Sequence, residues 1–86
     1  MPKISEFFGI SIYMYFDDHH PAHFHARYAE YEAVIQIEEL SVRRGSLPPR
    51  ALGLVVEWAK LHQAELSEAW ERAQAGQTLS KIDPLE

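Results

Sequence analysis

The chain contains no cysteine. That removes a disulfide framework, a thiolate metal site and a cysteine nucleophile. No apolar run approaches the roughly 18–20 residues of a membrane span. The opening Met1-Pro2-Lys3-Ile4-Ser5-Glu6 lacks the basic-then-apolar layout of a secretory signal. A cytoplasmic protein without membrane association is therefore expected. Cations are scarce as well: eight Lys and Arg stand against thirteen Asp and Glu, a net charge of −5. The deficit runs through both halves, five basic to seven acidic up to Arg50 and three to six beyond it. The broad basic excess that drives phosphate binding by counterion release is missing, so contact with RNA must rest on a local patch or a basic partner. No Gly-rich phosphate loop, Gly-x-Ser-x-Gly elbow or helical His-Glu-x-x-His is present, which excludes the common nucleotide and hydrolase mechanisms.

What is present suits one small domain spanning residues 1–86. Of the 86 residues 47% are hydrophobic, with two Trp, four Tyr and four Phe, enough for a core. A chain this short buries only roughly 60–65% of its unfolded surface. The texture changes once, at Gly45-Ser46-Leu47-Pro48-Pro49: the apolar period is two before it and helical after it.

Ile10, Ile12, Met14 and Phe16 alternate with Ser11, Tyr13 and Tyr15, which predicts a strand over about 10–16. Asp17-Asp18-His19-His20-Pro21 breaks it, because Pro21 holds His20 extended and paired Asp favour a turn. In the next strand, about 23–28, Phe24, Ala26 and Tyr28 share one face and His23, His25 and Arg27 the other. A third strand, about 31–38, carries Tyr31, Ala33, Ile35 and Ile37 in phase. With Ala29-Glu30 as a two-residue turn, Tyr28 faces Tyr31, Ala26 faces Ala33 and Phe24 faces Ile35. On the other side Arg27 faces Glu32, His25 faces Val34 and His23 faces Gln36. Every pair matches in character, which specifies the register, although Ala-Glu lacks the Gly or Asn that tight hairpins favour. A short fourth strand over about 41–44 ends at Gly45.

Pro48-Pro49 opens a helix, where missing N–H groups cost nothing. Leu52, Val55, Val56, Ala59, Leu66, Ala69, Trp70 and Ala73 recur at three- and four-residue steps until Gly76. A straight helix over 48–75 would run about 40 Å, too long for this domain, so a bend or a second helix is expected near His62-Gln63. The expected fold is α+β: an antiparallel sheet of three to four strands with a bent helix or two helices packed on one face. The tail, 77–86, is expected to be irregular and pinned by Leu79, Ile82 and Leu85.

Four of the five histidines, His19, His20, His23 and His25, lie within seven residues. Three readings stay open. In the first they bind a metal: imidazoles at i and i+2 on a strand project to one face roughly 7 Å apart. His20, Asp17 or Asp18 would then complete a three-ligand site with His23 and His25, and such N/O donors admit Zn, Mn or Ni. In the second they perform metal-free RNA cleavage, two imidazoles acting as base and acid while Arg27 holds the phosphate and Tyr13 or Tyr15 offers a stacking surface. In the third they are solvated or hydrogen-bonded to Asp17 and Asp18 and do no chemistry. Arg43, Arg44 and Arg50 form a local basic spot whose simplest reading is a solvated turn. Trp58 and Trp70 read as core or dimer contacts, and His62 as structural.

The string Tyr15-Phe16-Asp17-Asp18-His19-His20-Pro21-Ala22-His23-Phe24-His25 resembles a signature of domain-of-unknown-function family 4160. So do Met1 to Ile10, Tyr31 to Ile35, Leu47-Pro48, Glu57-Trp58-Ala59 and Trp70-Glu71-Arg72-Ala73. The resemblance covers nearly the whole chain. It departs at Ala22, where relatives commonly carry a second proline, and at Ala29-Glu30, where they often carry Gly-Gly. Members are small bacterial proteins without an established activity, and toxin–antitoxin-like pairing is what the resemblance implies. Under it, the chain is an interaction module with His20, His23, His25 and Arg27 as its functional surface, and its partner is a protein encoded nearby. The alternatives are a small metal-binding protein using Asp17, Asp18, His20, His23 and His25, and a structural homodimer joined through the Tyr13/Tyr15 face or the Trp-bearing helix.

Overall fold

The computed structural model describes residues 3–16 and 19–86; Asp17 and Asp18, and with them the expected Asp-Asp turn, lie outside the described residues. Five antiparallel strands form a simple meander: β1 (Lys3–Phe7), β2 (Ile10–Tyr13), β3 (His23–Tyr28), β4 (Tyr31–Gln36) and β5 (Val42–Gly45). Two helices follow, α1 (Pro49–Leu61) and α2 (Gln63–Gln74). The fold is α+β as expected, with one strand more.

That strand, β1, is hidden from a periodicity reading for a physical reason. Ile4 and Ser5 are both buried, followed by exposed Glu6 and buried Phe7, so the period-two signal is broken. A bulge does this, shifting the β1–β2 register between Lys3 and Ser5. Strand β2 is shorter than the 10–16 expected. Ile10, Ile12 and Met14 do point inward, but after Tyr13 no ladder partner remains, and Phe16 is 45% exposed. At the end of β4 the amide of Leu40 bonds the Gln36 carbonyl at 2.9 Å, so residues 37–38 belong to a turn and not to the strand.

The β3–β4 register is the expected one at all six positions, from His23↔Gln36 to Tyr28↔Tyr31. Alanine replaces the usual turn glycine by adopting a left-handed backbone at Ala29, φ 52°. At the other end of the sheet Gly45, φ 77°, brings β5 against β4 so closely that a Cβ there would lie 2.1 Å from the Glu32 carbonyl oxygen.

The inward faces of β1 to β4 meet the apolar stripes of the two helices. Ile4, Ile12, Met14, Phe24, Ile35, Val55, Trp58 and Leu66 are essentially inaccessible. The helical stretch breaks at His62, φ −120°, with neither glycine nor proline there. The domain is only 33 Å in its longest dimension, so an unbroken helix would have left the sheet. Gln63 fixes the new direction, its amide donating to the carbonyls of Ile37 at 2.7 Å and Glu38 at 2.9 Å. His62 serves this junction, its Nδ1 2.6 Å from the Glu65 carboxylate and its ring tilted against Trp58. The tail is irregular but held: Ile82 is buried and its amide donates to the Ile4 carbonyl at 2.8 Å.

Both tryptophans are core residues, but they differ in one bond. The Trp58 indole N–H donates to the Asp83 carbonyl at 2.8 Å, whereas that of Trp70 is buried with no hydrogen-bond partner among the described residues. Trp58→Phe should therefore cost about 1–3 kcal/mol, and Trp70→Phe distinctly less, since it removes no bond; denaturant melts of the two variants test the order. Gly45→Ala should lower stability by about 2 kcal/mol or more, a fall in Tm of roughly 10 °C, because the clash is with backbone.

Candidate functional site

The register of the sheet assembles a site that no single segment contains. Tyr13 pairs with His25, His25 with Val34, and Val34 with Arg44. Cross-strand partners share a face, so Tyr13, His25, Val34 and Arg44 form one row on the side away from the helices. Strands lie about 4.8 Å apart, which sets the His25 and Arg44 backbones about 10 Å from each other with Val34 between them. Strand β5 is the sheet edge, and its neighbour Arg43 also reaches this region. The result is a cavity of about 190 Å³ lined by His19, His20, His23, His25, Val34, Arg43 and Arg44.

Each imidazole has its own setting. His23 opens β3 and is 8% exposed, far more buried than a residue on a solvated face. Its Nδ1 lies 2.8 Å from the Pro21 carbonyl oxygen. A carbonyl only accepts, so Nδ1 carries the proton and, in the neutral ring, the lone pair is on Nε2. His25 follows two residues on, the ring centroids 5.3 Å apart. Tyr15 meets the His25 ring edge-on at 4.4 Å, and the Glu32 carboxylate lies 3.5 Å from its Nδ1, an ion pair when His25 is protonated. His20, joined to Pro21 by a cis peptide bond, is exposed and packs edge-on against Trp70 at 5.6 Å. Trp70 also meets His23 at 5.1 Å. The orientation that Gln63 gives α2 thus delivers Trp70, two turns later, as the wall behind both rings.

Charge in the cavity comes from β5. The carboxylates of the described residues pair with Lys3, His25, His62 and Arg72 and leave Arg43 and Arg44 without a counter-ion. The Lys3–Glu6 hydrogen bond raises the Lys3 pKa and lowers that of Glu6, but this pair is exposed on β1, at the opposite edge of the sheet.

Of the residues singled out in the sequence, His20, His23 and His25 come together here. Arg27 does not line this cavity; it is exposed towards the other end of β3, opposite Ser11 and Glu32. Arg43 and Arg44 lie in the expected fourth strand, here β5, and line the cavity, where the residues alone suggest a solvated basic spot. The sequence shows them as a basic pair in a short strand, but only the β4–β5 register ties them to His25. Among the described residues no three His, Asp or Glu side chains are grouped so as to hold a metal ion, and Asp17 and Asp18 lie outside that set. Trp58 and Trp70 are turned into the core. No described helix is long and apolar enough to cross a membrane.

No curated protein and no solved structure matches the chain. Residues 9–71 match the family described as Domain of unknown function (DUF4160). This span holds the entire histidine–arginine cavity, and the chain belongs to that family.

Proposed function

We propose that the cavity is a phosphate-binding acid–base site and that its reaction is metal-free cleavage of single-stranded RNA. The observation that carries this reading is the meeting of two adjacent imidazoles with two guanidiniums that pair with no carboxylate among the described residues. Such a set matches the needs of 2′-hydroxyl transesterification. His23, its Nδ1 proton held by Pro21, takes the 2′-hydroxyl proton at Nε2. The 2′-oxygen attacks phosphorus and forms the 2′,3′-cyclic phosphate. His25 in its imidazolium form gives its proton to the departing 5′-oxygen, with Glu32 beside it. Arg43 and Arg44 hold the phosphate and offset the charge that grows on its oxygens. They take the role first assigned to Arg27.

The family resemblance sets this chemistry within a two-protein, toxin–antitoxin-like module, in which a protein partner masks the cavity. Metal binding at Asp17, Asp18, His20, His23 and His25 remains the competing assignment; no geometry among the described residues favours it.

In buffer containing EDTA, the untagged protein should cut a single-stranded RNA oligonucleotide to cyclic-phosphate ends and leave the matching DNA intact. His23→Ala and His25→Ala should each lower kcat by about 100-fold or more, and Arg27→Ala should leave it unchanged. Binding of an uncleavable 2′-O-methyl RNA should weaken with salt with a log–log slope of about −0.7 for the one phosphate held, and should be weaker at every salt concentration in Arg44→Ala. A requirement for divalent ions, or one ion per chain lost in the His23→Ala/His25→Ala double variant, would assign the cluster to metal instead.

A further inference from the structure

A second cavity, about 380 Å³, lies at the other end of β3. Its walls include Phe8, Ile10, Tyr28, Pro48 and Leu54, and Arg50 is its one charged residue. We propose that it binds a small amphipathic carboxylate: a molecule whose aryl or branched alkyl group fills the apolar walls while its carboxylate takes Arg50.

Three observations support an occupant of this kind. The first is Phe8. It forms, with Gly9, the two-residue turn between β1 and β2, and both residues have left-handed backbones, φ 50° and 79°. Glycine and asparagine suit that turn; a bulky side chain there is an outlier. Phe8 is also 59% exposed, so the fold holds a phenyl ring in water at a position where a small residue would serve the turn better. Strain kept at an exposed position points to a ligand contact. The absence of a side chain on Gly9 matters too: its missing Cβ would stand 3.5 Å from the Tyr28 ring, so that ring lies close against the turn and forms a firm wall.

The second is charge. Arg50 pairs with no carboxylate of the described residues. A lone guanidinium beside apolar walls matches one carboxylate, which it can bind through two parallel hydrogen bonds. A phosphate would bring a second negative charge into an apolar setting with nothing to meet it. The third is size. The volume falls within the roughly 300–1,000 Å³ of small-molecule sites. Only seven residues line it, against the roughly 20–30 a side of a stable protein interface. A small molecule fits this cavity better than a protein surface does.

The test is a titration of the ¹⁵N-labelled full chain with 3-phenylpropionate and, separately, with its neutral amide. The carboxylate should bind saturably, with shifts centred on Phe8, Gly9, Tyr28 and Leu54, and about tenfold more tightly than the amide. Arg50→Gln, at an exposed position, should abolish that preference while keeping the amide's affinity; Leu54→Trp should fill the cavity and block both. Equal affinity for acid and amide overturns the proposal, as does a lack of saturation by either up to roughly 20 mM, a limit beyond which binding energy is negligible. Shifts that instead centre on His23, His25, Arg43 and Arg44 overturn it as well, since they would place the anion in the histidine cavity.

Discussion

The buried indole of Trp58 is the constraint on which the rest of this structure depends. Its ring meets Phe7 at 5.3 Å and Phe24 at 5.9 Å, tying strands β1 and β3 to α1. It also packs on His62, where the helices part, and its N–H captures the Asp83 carbonyl in the tail. One side chain thus joins the sheet edge, the sheet centre, the helix junction and the C-terminal segment. In a domain with so little surface to bury, such a shared contact does more than its own area suggests, because four otherwise independent orderings are made mutually dependent.

From that anchor the position of the histidine site follows by geometry. Trp58 and Gln63 set where α1 ends and how α2 leaves it, and α2 then carries Trp70 to the start of β3. Trp70 backs one side of the cavity by packing against the rings of His20 and His23. The opposite side is closed by a strand-edge effect: Gly45 lets β5 approach β4, and β5 presents Arg43 and Arg44. Neither wall belongs to the histidine segment itself. The second cavity lies farther along β3, where the nearest lining residues, His25 and Tyr28, are three steps or about 10 Å apart, with walls from the β1–β2 turn and the start of α1. The two sites share a strand but no lining residue, so they can be perturbed separately.

Much of this was legible in the residues. The β3–β4 pairing was readable because six cross-strand pairs agree in polarity, and a shift by one would have turned Phe24, Ala26, Ala33 and Ile35 outward together. The helix break was readable from length alone. Strand β1 was not, since its bulge places Ile4 and Ser5 side by side in the interior and erases the alternation. The exposure of Phe16 was missed because side-chain alternation says nothing of where a ladder runs out of partners. For the site, the histidine cluster announced itself by density. The contribution of Arg43 and Arg44 did not, because it depends on a register shift between Val34 and Ile35 that no local pattern encodes.

The acidic balance of the chain and the cationic cavity are compatible for a reason of range. At physiological ionic strength the field of an exposed charge fades over about 8 Å, so carboxylates farther than that from Arg43 and Arg44 scarcely weigh on them. What an incoming anion meets is set locally, by two guanidiniums that pair with no carboxylate among the described residues and by the imidazoles beside them. Net charge does act at longer distance, where it slows the encounter with a polyanion and suppresses non-specific binding along it. Under the proposed function, an acidic chain with a small cationic cavity suits occupants that place one phosphate, rather than a long backbone, into the site. That restriction agrees with a cavity of 190 Å³ and separates this design from nucleic-acid binders that rely on a basic face.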